Sequence, residues 1–232
     1  MLKKSTILAG IALMSVFCSR AWAEDNTIEA DQATVQHAMK LLQDKQPRQV
    51  IAVLAPLLSR FDTLITDAKK NGQAYCGTNM GQIIAYSGMS LIQAENSVVF
   101  GPEVCQAYYY NSYALMDIGQ KADALVSLQR LTELAPMNAQ YFVELGYAYR
   151  VNGRNAEAMA AYKAALEKAD LAGHDDEQKF ARAAAQRGIG YMLIEEGDLD
   201  GAESAYKASL TDDPTSQIAK SELKFIADQR QK

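Results

Sequence analysis

The chain has 232 residues, 49% hydrophobic and 22% charged, with a formal net charge of −5. That length and apolar content suffice for a buried core and exclude wholesale disorder. A negative field without any basic cluster argues against partners built on phosphate backbones or anionic lipid heads.

The amino terminus reads as a secretory signal. Lys3 and Lys4 form a basic start, Ile7 to Phe17 is an apolar stretch of 11 residues, and Ala21-Trp22-Ala23 is a small-x-small site, which places cleavage between Ala23 and Glu24. The apolar stretch is too short to span a bilayer stably. The bulky Phe17 before Cys18 speaks against lipoprotein processing. Removing residues 1–23 takes away Lys3, Lys4 and Arg20 and no acid, leaving 20 basic and 28 acidic residues and a net charge of −8. The expectation is a periplasmic or secreted protein with no stable membrane insertion after cleavage. In an oxidising compartment the two remaining cysteines, Cys76 and Cys105, are expected to form one disulfide, the alternative being two reduced, buried thiols.

Residues 31–64 read as a helical hairpin, with Ala38 and Leu41 on the first helix, Pro47 at the turn, and Val50, Leu54 and Leu57 on the second. Residues 65–104 are irregular. They predict one helix from Tyr75 to Ala94 and a loop from Asn96 to Gly101, with Pro102 opening the next helix. Gly77, Gly81 and Ser87-Gly88 are expected to allow close helix packing. One pattern then recurs over 105–138, 139–172 and 183–216. Gly146 and Gly190 are each followed seven positions later by a turn glycine, Gly153 or Gly197, and then by Ala158 and Tyr162 or Ala202 and Tyr206. Gly119, Ala124 and Leu128 keep the same frame 34 positions upstream. Apolar residues at helical spacing, such as Phe142, Leu145 and Tyr149, form one helix, a glycine ends it, and a second amphipathic helix follows. Residues 173–182 are an insertion, and the middle unit's second helix is expected to run on through the polar stretch from Gly173 to Glu177. Ser216 to Gln229 predicts a closing helix, with Ile218, Leu223 and Ile226 covering the last unit.

This pattern resembles the tetratricopeptide repeat family, whose helix-turn-helix unit has 34 residues. The middle unit carries Phe142, Leu145, Gly146, Tyr149, Ala158 and Tyr162; the third carries Ile189, Gly190, Leu193, Ala202, Tyr206 and Pro214. The first carries Tyr108, Leu115, Ala124, Leu128 and Pro136, with Asn111 and Ser112 in place of the Leu-Gly pair. The resemblance implies an all-α, right-handed helical-hairpin solenoid over 24–232, with a degenerate amino-terminal half and a capping helix at 217–231. It also implies that each unit's first helix lines a concave face that binds a protein or peptide. Carried over by unit position, the contact residues are Gln106, Tyr109, Tyr113 and Asp117, then Gln140, Tyr147 and Arg150, then Arg187, Tyr191 and Glu195. Tyr113, Tyr147 and Tyr191 share one repeat position and form a ladder flanked by Arg150 and Arg187, suited to a segment bearing an acidic group. The alternative is that these tyrosines pack on neighbouring units. The Lys, Asn and Arg set with which one subset of the family clamps a carboxy-terminal carboxylate is missing.

Chemistry-bearing motifs are sparse. His37 and His174 have no spaced metal partner. Ser204 and Lys207 match a nucleophile pair in spacing but lack its companion motifs. Asp198-x-Asp200-Gly201 coincides with a repeat turn. The expectation is therefore a non-enzymatic envelope adaptor with no catalytic residues, metal or cofactor. Two alternatives remain: a subunit held by its convex face, or a small-ligand or catalytic site within 75–104.

Overall fold

A computed structural model describes residues 27–93, 96–171 and 174–231. The signal segment with its Ala23/Glu24 junction, Ala94 and Gly173 lie outside the described residues. Helix α1 (residues 27–43) pairs with α2 (Pro47–Lys69), on which Val50, Leu54, Leu57, Phe61 and Ile65 recur at helical spacing and are all buried. By length and composition α2 is long and apolar enough to cross a membrane. Its apolar stripe instead packs against α4 (Pro102–Asp117) and β1 (Gln73–Cys76). Pro56 sits on the exposed side of α2, where the helix bond its missing N–H forgoes lies away from the core.

The irregular segment differs from the single predicted helix. It folds as β1, then α3 (Met80–Gln93), then β2 (Ser97–Phe100), and the two strands pair in parallel with Gln73 opposite Ser97 and Cys76 opposite Phe100. The helix thus starts at Met80 rather than Tyr75, and most of the expected 96–101 loop is strand. Strands of four residues are too short to show an alternating pattern, and their pairing spans the whole of α3. Of the small residues here, Gly77 lies close against the start of α3, where an added Cβ would come within 2.9 Å of the Ile83 backbone nitrogen, but Gly81 and Gly88 do not bring helices together. An added methyl at Gly88 would meet nothing within 4 Å, and at Gly81 only the Asn79 side chain. Cys76 and Cys105 are joined by a disulfide with Cα atoms 5.7 Å apart, which ties the end of β1 to the first turns of α4.

Beyond the insert the chain continues as antiparallel pairs: α4 with α5 (Lys121–Leu134), α6 (Ala139–Val151) with α7 (Asn155–Lys168), α8 (Asp175–Glu196) with α9 (Leu199–Asp212), and then α10 (Gln217–Gln229). The chain is an all-α helical-repeat solenoid carrying one two-stranded insert. Gly119, Gly153 and Gly197 all take φ near +80°, and the next residue's N–H bonds back to Leu115, Tyr149 or Leu193 at 2.9 Å. Lys45, with φ 56°, makes the same turn in the first hairpin, where Gln46 N–H reaches the Leu41 carbonyl at 2.9 Å. The turn residue is therefore Lys45, and Pro47 opens α2 as its first residue.

The 173–182 insertion also lands differently from expectation. Helix α7 stops at Lys168 and is followed by a single 3₁₀ turn, Ala169–Leu171. The insertion lengthens α8 instead: His174 is its extended N-cap, and Asp175, Asp176 and Glu177 occupy the first turn, where the helix dipole favours acids. On α10, Ala219 and Ile226 are buried and Leu223 packs beside them, while Ile218 is 63% exposed. Residues 219, 223 and 226 share a helix face, and residue 218 lies about 100° away from 219.

Close approach between helices depends on glycines facing tyrosines. A Cβ on Gly146 of α6 would come within 2.7 Å of the Tyr162 ring, and one on Gly190 of α8 within 2.9 Å of Tyr206. Gly188 of α8 meets the Tyr162 ring as well, so α6 and α8 both close on one side chain of α7. The core is a chain of clusters linked through Tyr149 and then Leu193, as expected when each unit packs only on its neighbours.

Gly188→Ala should lower stability by about 1–3 kcal/mol through overpacking, whereas Gly88→Ala should raise it by up to about 1 kcal/mol through helix propensity; urea melts of the two variants give the signs. Intact-mass measurement of non-reduced protein should show two hydrogens fewer than the reduced form, and replacing both cysteines by serine should cost about 3 kcal/mol.

Candidate partner-binding face

The leading helices α4, α6 and α8 are bridged by side chains. Tyr109 and Tyr113 of α4 meet edge to face with ring centroids 5.0 Å apart, and Tyr109 also packs on Tyr141 of α6 at 5.2 Å. The Tyr113 hydroxyl donates to Glu144 Oε1 at 2.8 Å, and Gln140 Nε2 donates to the same oxygen at 2.6 Å. The Tyr109 hydroxyl donates to that of Tyr113 at 3.4 Å, so this relay of neutral donors ends on the Glu144 carboxylate. Glu144 is half-buried and, among the described residues, has no cationic partner. Burial raises its carboxyl above the ordinary carboxylate value, against the lowering effect of its two donors. Burial, and then the nearby Glu144 charge, pushes the Tyr109 and Tyr113 phenols up, which keeps them protonated as donors.

Further along α6, the Arg150 guanidinium lies 5.0 Å from the Tyr147 ring centroid and 4.1 Å from that of Tyr191 on α8. One cation thus spans two rungs of the ladder, a contact worth roughly 0.5–2 kcal/mol per ring. Arg150 also acts on the Tyr162 phenol, which burial pushes up to about 12 while the arginine pulls it back. Tyr113 and Tyr147 remain 39% exposed; Tyr191 is half-buried. Arg187 is held by Asp213 in the α9–α10 turn at 3.2 Å, so Arg150 is the arginine placed over the tyrosine rings. Gln106 is half-buried near the start of α4, while Asp117 and Glu195 are exposed near the ends of α4 and α8; among the described residues none of the three bonds to the tyrosine cluster.

Glu144 is the residue that unit positions alone leave out. Its signal was a lone carboxylate inside the apolar run Phe142-Val143-Glu144-Leu145-Gly146, four positions after Gln140. Past Tyr109 and Gln140 the face opens into a cleft of about 560 Å³, bounded by Thr78 and Gln82 of the insert and by Glu177 and Phe180 of the lengthened α8. The insert itself is anchored by packing. Tyr75 and Tyr86 stack at 5.0 Å, and the buried Tyr86 hydroxyl, pushed up to about 12 by burial, accepts the Met137 N–H at 3.2 Å.

The remaining motifs have local structural roles. Asp198 caps α9 through the Gly201 N–H at 2.9 Å. Ser204 donates to the Asp200 carbonyl, and Lys207 pairs with Glu203 at 2.5 Å. Among the described residues no three His, Cys, Asp or Glu side chains gather as a metal cluster.

The fold is an all-α helical-repeat scaffold. The family model described as Tetratricopeptide repeat matches residues 111–172, which take in α5, α6 and α7. Among solved structures, a putative kinesin light chain of Podospora anserina, with nearly identical TPR-like repeats, is similar at 14% identity and a TM-score of 0.57, over 86% of this chain and 87% of that one. The structure of MamA is similar at 18% identity and a TM-score of 0.51, over 91% of this chain and 97% of that one. No curated protein sequence matches the chain.

The raised Glu144 carboxyl has a consequence for stability. A carboxyl that titrates higher in the folded state than in the unfolded one gives stabilisation that is full at low pH and is lost as pH rises through its folded value. Glu144→Gln keeps an acceptor without the charge. It should raise Tm near neutral pH, by about 2–4 °C per kcal/mol relieved, and the gain should shrink as pH falls towards about 4; calorimetric melts across that range check it.

Proposed function

We propose that this chain is an exported, non-catalytic adaptor that holds a segment of a partner protein against the face formed by α4, α6 and α8. The observation that carries the reading is the exposure of Tyr113 and Tyr147 on adjacent leading helices, with Arg150 fixed between Tyr147 and Tyr191. Tyrosine and arginine concentrate binding energy because each couples a large contact area to a polar group, and here neither has to be ordered on binding. Export is supported by the signal-like start and by a cysteine pair placed for a disulfide. The excess of acids over bases favours a protein partner over nucleic acid or an anionic lipid surface.

The test uses photo-crosslinking residues placed in the native protein at Asp117 of α4 and at Val126, exposed on α5. A discrete partner should crosslink from position 117 in the exported fraction. Tyr147→Ala combined with Arg150→Ala should weaken its binding about tenfold or more while helicity is unchanged. Crosslinks confined to position 126, or binding indifferent to the double substitution, would assign the partner to the convex side and end the groove reading.

A further inference from the structure

We propose that Glu144 is the seat for the ammonium group of a lysine side chain presented by the bound segment. This rests on the groove reading above and adds the chemistry of the residue recognised. Both protein donors converge on Glu144 Oε1. Among the described residues Oε2 receives no donor, and it is not one of the buried unpartnered atoms, so it faces solvent. The carboxylate is held in place by Tyr113 and Gln140, yet among the described residues its charge has no counter-ion. A partly desolvated charge without a partner is costly, and a cation arriving at Oε2 gains a charge-assisted hydrogen bond that water no longer fully supplies.

The surroundings match one side chain in particular. Glu144 forms one wall of a notch of about 40 Å³ whose other walls include Tyr113, Tyr147, Met116 and Leu128. With Oε1 taken by two protein donors, one oxygen is left for a cation, which suits a compact ammonium group better than a guanidinium that pairs through both oxygens. Tyr113 and Tyr147 give the notch aromatic walls, and Met116 and Leu128 offer apolar surface to a methylene stem. Arg150 does not fill the notch, because Tyr147 and Tyr191 hold it further along the face. The notch and the arginine therefore form two adjacent subsites of opposite charge. A segment with a lysine at the notch and an acid beside Arg150 satisfies both.

A ¹H–¹⁵N NMR titration of the purified chain with N-acetyl-lysine amide, against N-acetyl-norleucine amide, isolates the ammonium group on a shared stem. The lysine amide should shift the Gln140 side-chain amide and the Glu144 backbone resonance, with an affinity about tenfold or more above norleucine. Glu144→Gln should erase that preference while leaving norleucine binding and the circular dichroism spectrum unchanged. Equal affinities on the unaltered chain, or a lysine preference that survives Glu144→Gln, would overturn the proposal. A partner that crosslinks from position 117 with the same affinity in the Glu144→Gln chain would remove the lysine seat and leave the groove standing. Crosslinks confined to position 126, with the lysine preference intact, would do the reverse.

Discussion

The spacing of the leading helices depends on tyrosine rings of trailing helices lying against glycines. Tyr162 on α7 meets Gly146 on α6 and Gly188 on α8, and Tyr206 on α9 meets Gly190 on α8. A missing Cβ lets backbone approach ring, and the ring fills what would otherwise be a void between three helices. The contacts that make up the candidate face follow from that spacing. Arg150 reaches Tyr191 at 4.1 Å only because α6 and α8 are held this close, and the same ring that sets the distance also engages Arg150. The tyrosines divide between the two tasks: Tyr162 and Tyr206 are buried and set the spacing, while Tyr113 and Tyr147 stand exposed on the face that this spacing produces.

The face combines two unlike electrostatic arrangements. Arg150 is already satisfied by two rings, and it presents a fixed positive charge. Glu144 is placed by neutral donors and, among the described residues, left without a counter-ion. Such an uncompensated, partly buried charge works against folding. It is the kind of local inconsistency found where a protein's surface is shaped for something other than its own stability.

The departures from the repeat cluster on one side of the molecule. The β1–α3–β2 insert and the lengthened start of α8 both border the cleft that runs on from Tyr109 and Gln140. The disulfide ties the insert to α4, the helix that also carries Tyr109 and Tyr113. The position of one wall of the cleft is thereby coupled to the helix bearing the tyrosine cluster.

Much of the architecture was legible from residue order, because it is written in local physics. Helical spacing of apolar residues, with a left-handed glycine in each of the last three hairpins, identifies those hairpins wherever they stand, and it led to the three carboxy-terminal pairs and the closing helix. What only the tertiary structure decided depended on distant neighbours. The 173–182 insertion joined α8 because three acids at its start suit a helix amino terminus better than a helix interior near its end. The strands at Gln73–Cys76 and Ser97–Phe100 exist through each other, across an intervening helix, and neither carries a pattern of its own. Repeat position selected Tyr113, Tyr147 and Arg150, but it passed over Glu144, since a lone acid in an apolar run acquires meaning only when the phenol of another helix comes within 2.8 Å of it. Local periodicity fixes which residues face inward; which charges are left unmatched is settled only when separate helices meet.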